Sequence, residues 1–520
     1  MSKICSAREA VACIRSGDTV TSTGVIGWLT PDSLLAAIAD RFADHEIGDL
    51  SFFFPVCTGD ALDIPGMDRL AQPGLMKRIV SGNYINPLNP QTGRRPAVME
   101  LIQRNRIEAY AWPIGATMHW LREVARRSPG YLTEVGLGTY IDPRQQGGKL
   151  NALTTEDLVE VRQFGGKEYL FYPSWKLNVG LIRASAADEF GNLSFDDEPL
   201  QSAAIAMALA VKASGGKVIA QVRRIVARGD GEASRMCIPG VLVDHVVVDA
   251  AAMMTTGVQF DARYLGGRLD RTGFNPVAQG MDKIIARRAA LEVRRDEVTI
   301  FGFGASADIP LIMMEDGLFD EGGLDHYPHI TEHGAFGGIV MSGWQFSANM
   351  FPEALLDGVY QFDFIDGGNC GFAALAFAEF DARGCVNVSK FADFNPGAGG
   401  FIDIASNTPR LVFTGTFTTG GLKVEVSENG LRILQEGRLR KFVKTTQQIT
   451  YPVGEGVRAR GQSALLITER AVFRVESDGL VLAEVAPGID VAKDVLAQME
   501  FAPVRIDHPL PLMDIALFRD

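Results

Sequence analysis

Short runs of β-branched residues alternate along this chain with alanine-rich stretches of helical periodicity. Residues 18–24 read as a strand that ends at a glycine, and Pro31 then stands where proline commonly starts a helix. Residues 217–222 and 244–249 are continuous apolar runs of the kind that parallel sheets bury on both faces. The alternation predicts an α/β protein whose mainly parallel sheets are covered by helices.

The chain also repeats its own pattern. Three pairs of short segments recur in the same order: 20–31 with 298–310, Thr133-Glu134 with Thr331-Glu332, and Asp188–Gly191 with Asp381–Gly384. We therefore predict two homologous halves, 1–280 and 297–520, joined by a linking helix over 281–296 with a solvated charged face. Relative to the second half, the first has an insertion of about eighty residues between Pro31 and Thr133.

The end of the chain has a different pattern. Beyond Leu431 it is strand-rich, and Asp478-Gly479 is a turn dipeptide between two apolar runs. This pattern predicts a hairpin of residues 472–475 with 480–485. The second half therefore has a strand-rich C-terminal extension.

Composition and charge narrow the class of protein. The chain has 520 residues, of which 47% are hydrophobic and 22% charged, as expected of a globular protein. Its 63 acidic and 50 basic residues give a net charge of −13. Such a surface has no general attraction for nucleic acid or anionic membranes, so a phosphate-bearing ligand needs a local site.

The cysteines and the start of the chain indicate the compartment. The six cysteines are scattered and none forms C-x-x-C, which argues against a disulfide framework and a zinc ribbon. The first residues contain no apolar signal core, and Ser6 with Glu9 predicts a capping box at a helix start. We expect a reduced, cytoplasmic protein.

One short segment contains three of the seven histidines. Within it, His329, Glu332 and His333 form H-x-x-E-H, an inverted zinc protease motif that requires a regular helix. Pro328 and Gly334 bracket the motif, and a helix this short between two helix breakers is not expected. The simpler interpretation is a strand end with a glycine turn, and a zinc hydrolase is the lesser alternative.

Two glutamates are candidate nucleophiles. Glu332 and Glu134 occupy matching places in the proposed repeat, each after a threonine and before a glycine-rich turn. A carboxylate facing bare glycine backbone suits a nucleophile, because the absent side chains leave room for an electrophile and N–H groups stabilise an oxyanion. The spacing does not distinguish between the two.

Glycine-rich turns are candidates for close contact between backbone and ligand. They are Gly302-Phe303-Gly304-Ala305-Ser306, which follows a predicted strand, and Gly397–Gly400. Neither completes a dinucleotide-binding or P-loop sequence, and no G-x-S-x-G occurs. Arg438, Arg440 and Lys444 alternate along a predicted strand and are interpreted as solvated edge charge, with a phosphate contact as the alternative.

From Ser6 to about Ile515 the chain resembles the family I CoA-transferases, especially the bacterial acetate and 3-oxoacid type with both halves in one polypeptide. The segments that carry this resemblance are Gly136–Asn151, Lys167–Tyr172, Gly397–Asp403, Gln435–Arg438 and Ile467–Phe473. The resemblance implies two homologous open α/β domains with mainly parallel sheets. It also implies that chains associate as a homodimer or homotetramer.

The resemblance implies roles for particular residues. The family's nucleophilic glutamate lies in an E-x-G segment of the second half, which corresponds to Glu332 and not Glu134. The backbone at Gly399 and Gly400 is expected to face the thioester oxygen. CoA contacts are expected along residues 302–306 and at Asn369. No metal or redox cofactor takes part, and CoA is both substrate and covalent intermediate.

The implied reaction moves CoA between an acyl-CoA and a free carboxylic acid by a ping-pong mechanism, through a glutamyl-CoA thioester on Glu332. Two positions depart from the family. Relatives commonly have a glutamine that polarises the acyl oxygen where this chain has Ile114, and an aspartate where it has Gly371. A non-catalytic acyl-CoA-binding protein is therefore the main alternative. The expected partners are small molecules, with no nucleic acid or membrane.

Overall fold

The computed structural model describes residues 3–85, 87–90, 92–229 and 233–519. Positions 1 and 520, the outer bounds of the two predicted halves, lie outside these ranges. The α-helices among the described residues are α1 Ala7–Val11, α2 Asp32–Ala43, α3 Ala97–Gln103, α4 Ile114–Ala125, α5 Ala204–Ala213, α6 Met281–Ala290, α7 Ile309–Glu315, α8 Gly358–Asp366, α9 Phe401–Asn407 and α10 Val453–Arg460.

Most strands of the first half form one twisted, largely parallel sheet. The strands are β1 Thr19–Ser22, β2 Leu50–Phe54, β3 Met76–Ser81, β4 Glu108–Ala111, β5 Gly130–Thr133, β6 Glu160–Phe164, β7 Lys167–Pro173, β8 Val179–Asp188, β9 Leu193–Ser194, β10 Lys217–Val226, β11 Met236–Ile238 and β12 His245–Val248. The parallel order is β12-β10-β8-β1-β2-β3-β4, while β5-β7-β6 is a separate antiparallel sheet. All ten residues of the central strand β8 are buried, because helices cover both faces.

The second half has a mixed sheet and several two-stranded pieces. Its strands are β13 Thr299–Phe301, β14 His329–Ile330, β15 Ala335–Phe336, β16 Ile339–Val340, β17 Asn349–Met350, β18 Ala354–Leu355, β19 Phe372–Ala376, β20 Glu379–Asp381, β21 Cys385–Asn387, β22 Arg410–Thr414, β23 Thr418–Thr419, β24 Lys423–Ser427, β25 Gly430–Gln435, β26 Leu439–Arg440, β27 Phe442–Val443, β28 Tyr451–Pro452, β29 Ser463–Ile467, β30 Ala471–Glu476, β31 Gly479–Val485 and β32 Arg505–Ile506. Its parallel core runs β14-β13-β19-β22-β29, and the predicted hairpin is confirmed as β30–β31.

The two sheets have the same core topology. The order β12-β10-β8-β1-β2 in the first half matches β29-β22-β19-β13-β14 in the second. The paired turns at Asp188 and Asp381 also match in detail, since each carboxylate accepts hydrogen bonds from the backbone N–H groups two and four residues later, at 2.9–3.0 Å. The predicted pair of homologous α/β halves is confirmed.

The insertion in the first half lies later than the sequence pattern predicted. The loop from helix α2 to β2 has no large excess over its counterpart between α7 and β14, whereas the connection from β2 to β8 is much longer than that from β14 to β19. The additional residues form β3, β4 and the antiparallel sheet β5-β7-β6. The insertion therefore follows β2.

The predicted linking helix is helical over Met281–Ala290 and packs against α7 of the second half. Its charged face is not fully solvated, and that prediction is wrong. Lys283 and Arg288 are each only 7% exposed, and they pair with Glu315 at 2.9 Å and Glu484 at 2.6 Å respectively. These ion pairs allow the helix to bury two cations.

Other sequence expectations are borne out locally. Ser6 and Glu9 form the predicted capping box, and all six cysteines are free thiols. Within the described ranges, no helix combines the length and apolar character needed to cross a bilayer.

Candidate active site

Glu332 lies in a tight turn at the carboxyl edge of the second sheet. The Gly334 N–H donates to the Thr331 carbonyl at 3.3 Å, which closes the turn between β14 and β15. Gly334 has a φ of +112°, and a Cβ there would lie 2.0 Å from the Leu356 carbonyl oxygen, so the position requires glycine. Because β14 is parallel to β13, the turn holds Glu332 at the same sheet edge as residues 302–304.

The carboxylate of Glu332 is buried, and no Lys or Arg among the described residues forms an ion pair with it. Its side chain is 10% exposed, and loss of hydration raises the pKa of Glu332 to about 7. The nearest basic group is His333, whose Nε2 lies 3.7 Å from Glu332 Oε1. Burial lowers the pKa of His333 to about 3, so this imidazole is neutral. An unpaired carboxylate that is poorly solvated and ionised near neutral pH suits a nucleophile.

The absence of a side chain at Gly400 keeps open the space that Glu332 faces. A Cβ at residue 400 would lie 3.4 Å from Glu332 Cγ, and the Gly400 N–H donates no hydrogen bond to another described residue. Gly399 differs, because its N–H donates to the Gly82 carbonyl at 3.2 Å. The expectation that both glycines offer backbone donors is therefore wrong for Gly399 and remains a prediction for Gly400.

The first half reaches this site through the start of helix α4. The Ile114 N–H donates to the Gly399 carbonyl at 3.2 Å, and the Gly115 N–H donates to Asp403 Oδ2, also at 3.2 Å. Asp403 is 1% exposed and lies in the first turn of α9, the helix that begins directly after Gly400. The sequence pattern had not linked Ile114, Gly115 and Asp403, although all lie in segments that it had singled out.

The proposed CoA turn is only partly accessible. Gly302 donates its N–H to the Ala374 carbonyl at 2.7 Å, and the next two residues, Phe303 and Gly304, are exposed. Ala305 and Ser306 are buried, and the Ser306 hydroxyl lies 2.7 Å from the Thr414 hydroxyl. The expected contacts of CoA with Gly302, Phe303, Gly304, Ala305 and Ser306 stay predictions, and the accessible part of the turn is at Phe303 and Gly304.

Asn369 lies at the opposite edge of the sheet. It precedes β19, whereas Gly302 and Glu332 follow the strands parallel to β19, and its side-chain amide donates to the Phe364 carbonyl at 3.1 Å. The expected contact of Asn369 with CoA is wrong. Gly371 lies at the same distant edge, where a Cβ would lie 2.6 Å from Glu297 Cγ. The missing aspartate at Gly371 therefore does not alter the site around Glu332.

The zinc interpretation fails in the described residues. His329 lies on a strand, its ring packs edge-on against Phe301 and Phe319, and its Nδ1 is 3.1 Å from the Gly338 carbonyl. Burial lowers the pKa of His329 to about 4. No group of three potential metal ligands comes together anywhere in the part of the chain that the structure describes.

Glu134 is not the structural counterpart of Glu332. It follows β5 in the separate antiparallel sheet, its side chain is 46% exposed, and it pairs with Lys167 at 3.4 Å. The sheet registers give a different counterpart. Phe52 of β2 has the same place beside β1 as His329 of β14 has beside β13. Pro55 is three residues after Phe52, and Glu332 is three residues after His329. Pro55 is therefore the structural counterpart of Glu332 in the first half.

The three cations at the predicted edge strand are solvated. Arg438, Arg440 and Lys444 are all exposed. The interpretation of these residues as edge charge is confirmed.

Comparisons with known proteins agree with this architecture. The family model "Coenzyme A transferase" matches residues 4–249. The chain is 39% identical to the acetate CoA-transferase YdiF of Escherichia coli K12 over 521 residues, covering 99% of this chain and 95% of the relative. It is 37% identical to the caffeate CoA-transferase of Acetobacterium woodii over 533 residues, covering 100% and 98%.

A solved structure extends the agreement to the whole fold. The crystal structure of acyl-CoA transferase YdiF from E. coli O157:H7, as a thioester complex with CoA, matches with a TM-score of 0.90 and 37% identity. The match covers 100% of this chain and 96% of that one. With both sheets and both halves matched from end to end, the chain is an enzyme of the coenzyme A transferase family.

Proposed function

We propose that this enzyme transfers CoA between an acyl-CoA and a free carboxylic acid, and that Glu332 becomes a glutamyl-CoA thioester during each cycle. The observation that carries the proposal is the buried, unpaired carboxylate of Glu332 against the bare backbone of Gly400. The names of the CoA-transferase relatives and the thioester complex of YdiF support it.

The first half-reaction begins when a Glu332 oxygen attacks the thioester carbonyl carbon. The carbon–sulfur bond breaks, and CoA leaves as a thiolate from a mixed anhydride between Glu332 and the acyl group. The thiolate then attacks the glutamyl carbonyl and expels the donor carboxylate, which leaves CoA on Glu332. An acceptor carboxylate reverses these steps, so no electrons or metal ions are required.

The site lowers the barrier in ways that its geometry suggests. Burial leaves the Glu332 carboxylate poorly hydrated, so attack loses less solvation than it would in water. The Gly400 N–H is available to the oxyanion that develops on the thioester carbonyl, and one such donor contributes about 3–4 kcal/mol. Ile114 supplies no side-chain donor to the acyl oxygen, and its N–H is taken by the Gly399 carbonyl.

A panel of CoA esters and free acids tests the transfer. The purified enzyme is incubated with acetyl-CoA and one acid at a time, including 3-oxoacids and arylacrylic acids, and new CoA esters are separated by chromatography. We expect at least one acid to yield its CoA ester with stoichiometric release of acetate. Binding of acyl-CoA without transfer to any acid would instead support the non-catalytic alternative.

Three further points stay predictions. They are the absence of a cofactor, the cytoplasmic location, and association into a homodimer or homotetramer. Size measurement in solution checks the last.

A further inference from the structure

Lys441 is a buried amine for which the reaction above has no role. The residue is 7% exposed, and its Nζ lies 4.0 Å from the centroid of the Phe377 ring. Among the described residues Nζ forms neither an ion pair nor a hydrogen bond, and it is not sealed from solvent. A cation held against an aromatic face and left without a carboxylate can bind an incoming anion.

The nearest carboxylate is already occupied. Glu469 acts on Lys441 only through its longer-range charge, because Oε1 accepts from Arg470 Nε at 2.6 Å and Oε2 accepts from the Phe417 N–H at 2.9 Å. Asp282 also acts only at longer range. Burial outweighs both charges and lowers the pKa of Lys441 to about 8, which leaves the amine mainly protonated at neutral pH.

The backbone around Lys441 is shaped to admit its amine. A Cβ at Gly415 would lie 2.6 Å from Lys441 Nζ, so glycine at this position leaves the space that the amine fills. Gly415 directly follows β22, and Phe377 directly follows β19. Lys441 Nζ therefore lies at the carboxyl edge of the parallel core, which is also the edge of Glu332 and of the exposed turn at Phe303.

The position of Lys441 along that edge fits the diphosphate of CoA. Strand β22 is three places from β14 in the sheet, so at a strand spacing of about 4.8 Å the two strand ends are about 14 Å apart. This separation is comparable with an extended pantetheine arm, which joins the reacting sulfur of CoA to its diphosphate. The exposed residues Phe303 and Gly304 follow β13, which lies between these strands.

We propose that Lys441 binds the diphosphate of the acyl-CoA, while the pantetheine arm extends along the carboxyl edge past Phe303 to Glu332. This assignment rests on the proposed function, because it takes Glu332 as the point that the sulfur reaches. It deepens that function by giving the nucleotide part of the substrate a specific charged contact in an otherwise acidic protein. Binding energy from this remote contact can be used at the reacting centre.

The test compares Lys441→Met with Lys444→Met, a matched control on the same segment whose side chain is exposed. Calorimetry measures binding of CoA, dephospho-CoA and pantetheine to each protein. We expect Lys441→Met to weaken binding of CoA and dephospho-CoA about 10- to 100-fold, as for a lost charge-assisted hydrogen bond, and to leave pantetheine binding within about twofold. Lys444→Met should leave all three affinities unchanged.

Several outcomes would overturn the assignment. Unchanged CoA binding excludes the contact, an equal loss for pantetheine shows a purely structural role, and a loss for CoA but not for dephospho-CoA places the 3′-phosphate at Lys441. Lys441→Gln is measured in parallel, and retained pantetheine binding reports an intact fold. Because binding is measured without turnover, a protein that binds CoA through Lys441 but transfers nothing contradicts the proposed function and not this assignment.

Discussion

The two halves use the same turn for different purposes. In the second half, the turn after β14 carries Glu332. In the first half, the equivalent turn after β2 carries Pro55, whose carbonyl accepts a hydrogen bond from the Thr117 hydroxyl of helix α4 at 2.9 Å. One copy of the turn thus carries the proposed nucleophile, while the other holds the helix whose first N–H groups reach across to residues 399–403. The two halves share the same core topology, but the turn carries Glu332 in one half and Pro55 in the other. The site is therefore asymmetric.

The largest effect should come from the nucleophile. Glu332→Gln keeps the shape of the side chain but removes the attacking oxygen, so we expect transfer to fall by at least about 10³-fold. Glu134→Gln changes the exposed glutamate that only resembles it in sequence, and should keep transfer within about twofold. Initial rates with acetyl-CoA and one active acid compare the two. A loss with Glu134→Gln equal to that with Glu332→Gln would refute the asymmetry.

A smaller effect is expected from the glycine that faces Glu332. Gly400→Ala places a methyl group 3.4 Å from Glu332 Cγ, so we expect kcat to fall about 10- to 100-fold through displacement of the carboxylate or the oxyanion donor. Gly280→Ala is the matched control, because Gly280 also precedes a helix but has no atom near its added Cβ. Steady-state kinetics of both variants check this, and equal behaviour of the two would contradict the close packing at Gly400.

The ionisation of Glu332 predicts a pH dependence. Only the carboxylate attacks, and its pKa is about 7, so kcat/KM should fall about tenfold per pH unit below that value. The same shift costs stability. The pKa of Glu332 is higher in the folded protein than in the unfolded one. Burial of this group therefore does not lower the free energy of unfolding below pH 4.5, and it lowers it by the full amount above pH 7.

Glu332→Gln should therefore be more stable than the native protein by roughly 3 kcal/mol at pH 8 and equally stable near pH 4. Denaturant unfolding at the two pH values measures this difference. A variant with the same stability difference at both pH values would show that the carboxylate is not held in a poorly hydrated site.

The smallest effect should come from the contact between the halves. Asp403→Ala removes the acceptor of the Gly115 N–H and should cost about 1–3 kcal/mol of stability with a several-fold loss of transfer. Burial and the neighbouring Asp366 raise the pKa of Asp403 well above its usual value, which favours the neutral form of this carboxyl group. Asp403→Asn has the same shape and retains an acceptor oxygen, and should behave almost as the native protein. Failure of Asn to rescue would show that a charged Asp403 is needed.

Sequence pattern predicted the fold well where the signal was long. The runs 217–222 and 244–249 and the hairpin predicted the strands β10, β12 and β30–β31, and the paired turns at Asp188 and Asp381 recur because each carboxylate holds its own backbone. Short sequence matches between the halves gave a wrong correspondence. Thr133-Glu134 imitates Thr331-Glu332 over a few residues, yet the strands before them belong to different kinds of sheet.

The finer geometry of the site depends on contacts that sequence order does not reveal. Asn369 lies at the opposite edge of the sheet from Glu332, because the whole of β19 separates it from the carboxyl edge. The Gly399 N–H is taken by the Gly82 carbonyl of the other half. Lys441 turns inward between exposed Arg440 and Lys444, which no alternating pattern predicts.

The most direct test is the mass of the peptide that contains Glu332 after brief incubation with acyl-CoA and no acceptor acid. We predict an added CoA on this peptide that disappears when an acceptor acid is supplied and is absent in Glu332→Gln. Borohydride should reduce the thioester to an alcohol at residue 332, which releases CoA and inactivates the enzyme. An enzyme that turns over while every peptide stays unmodified, or that carries CoA on a residue other than Glu332, would contradict the central claim.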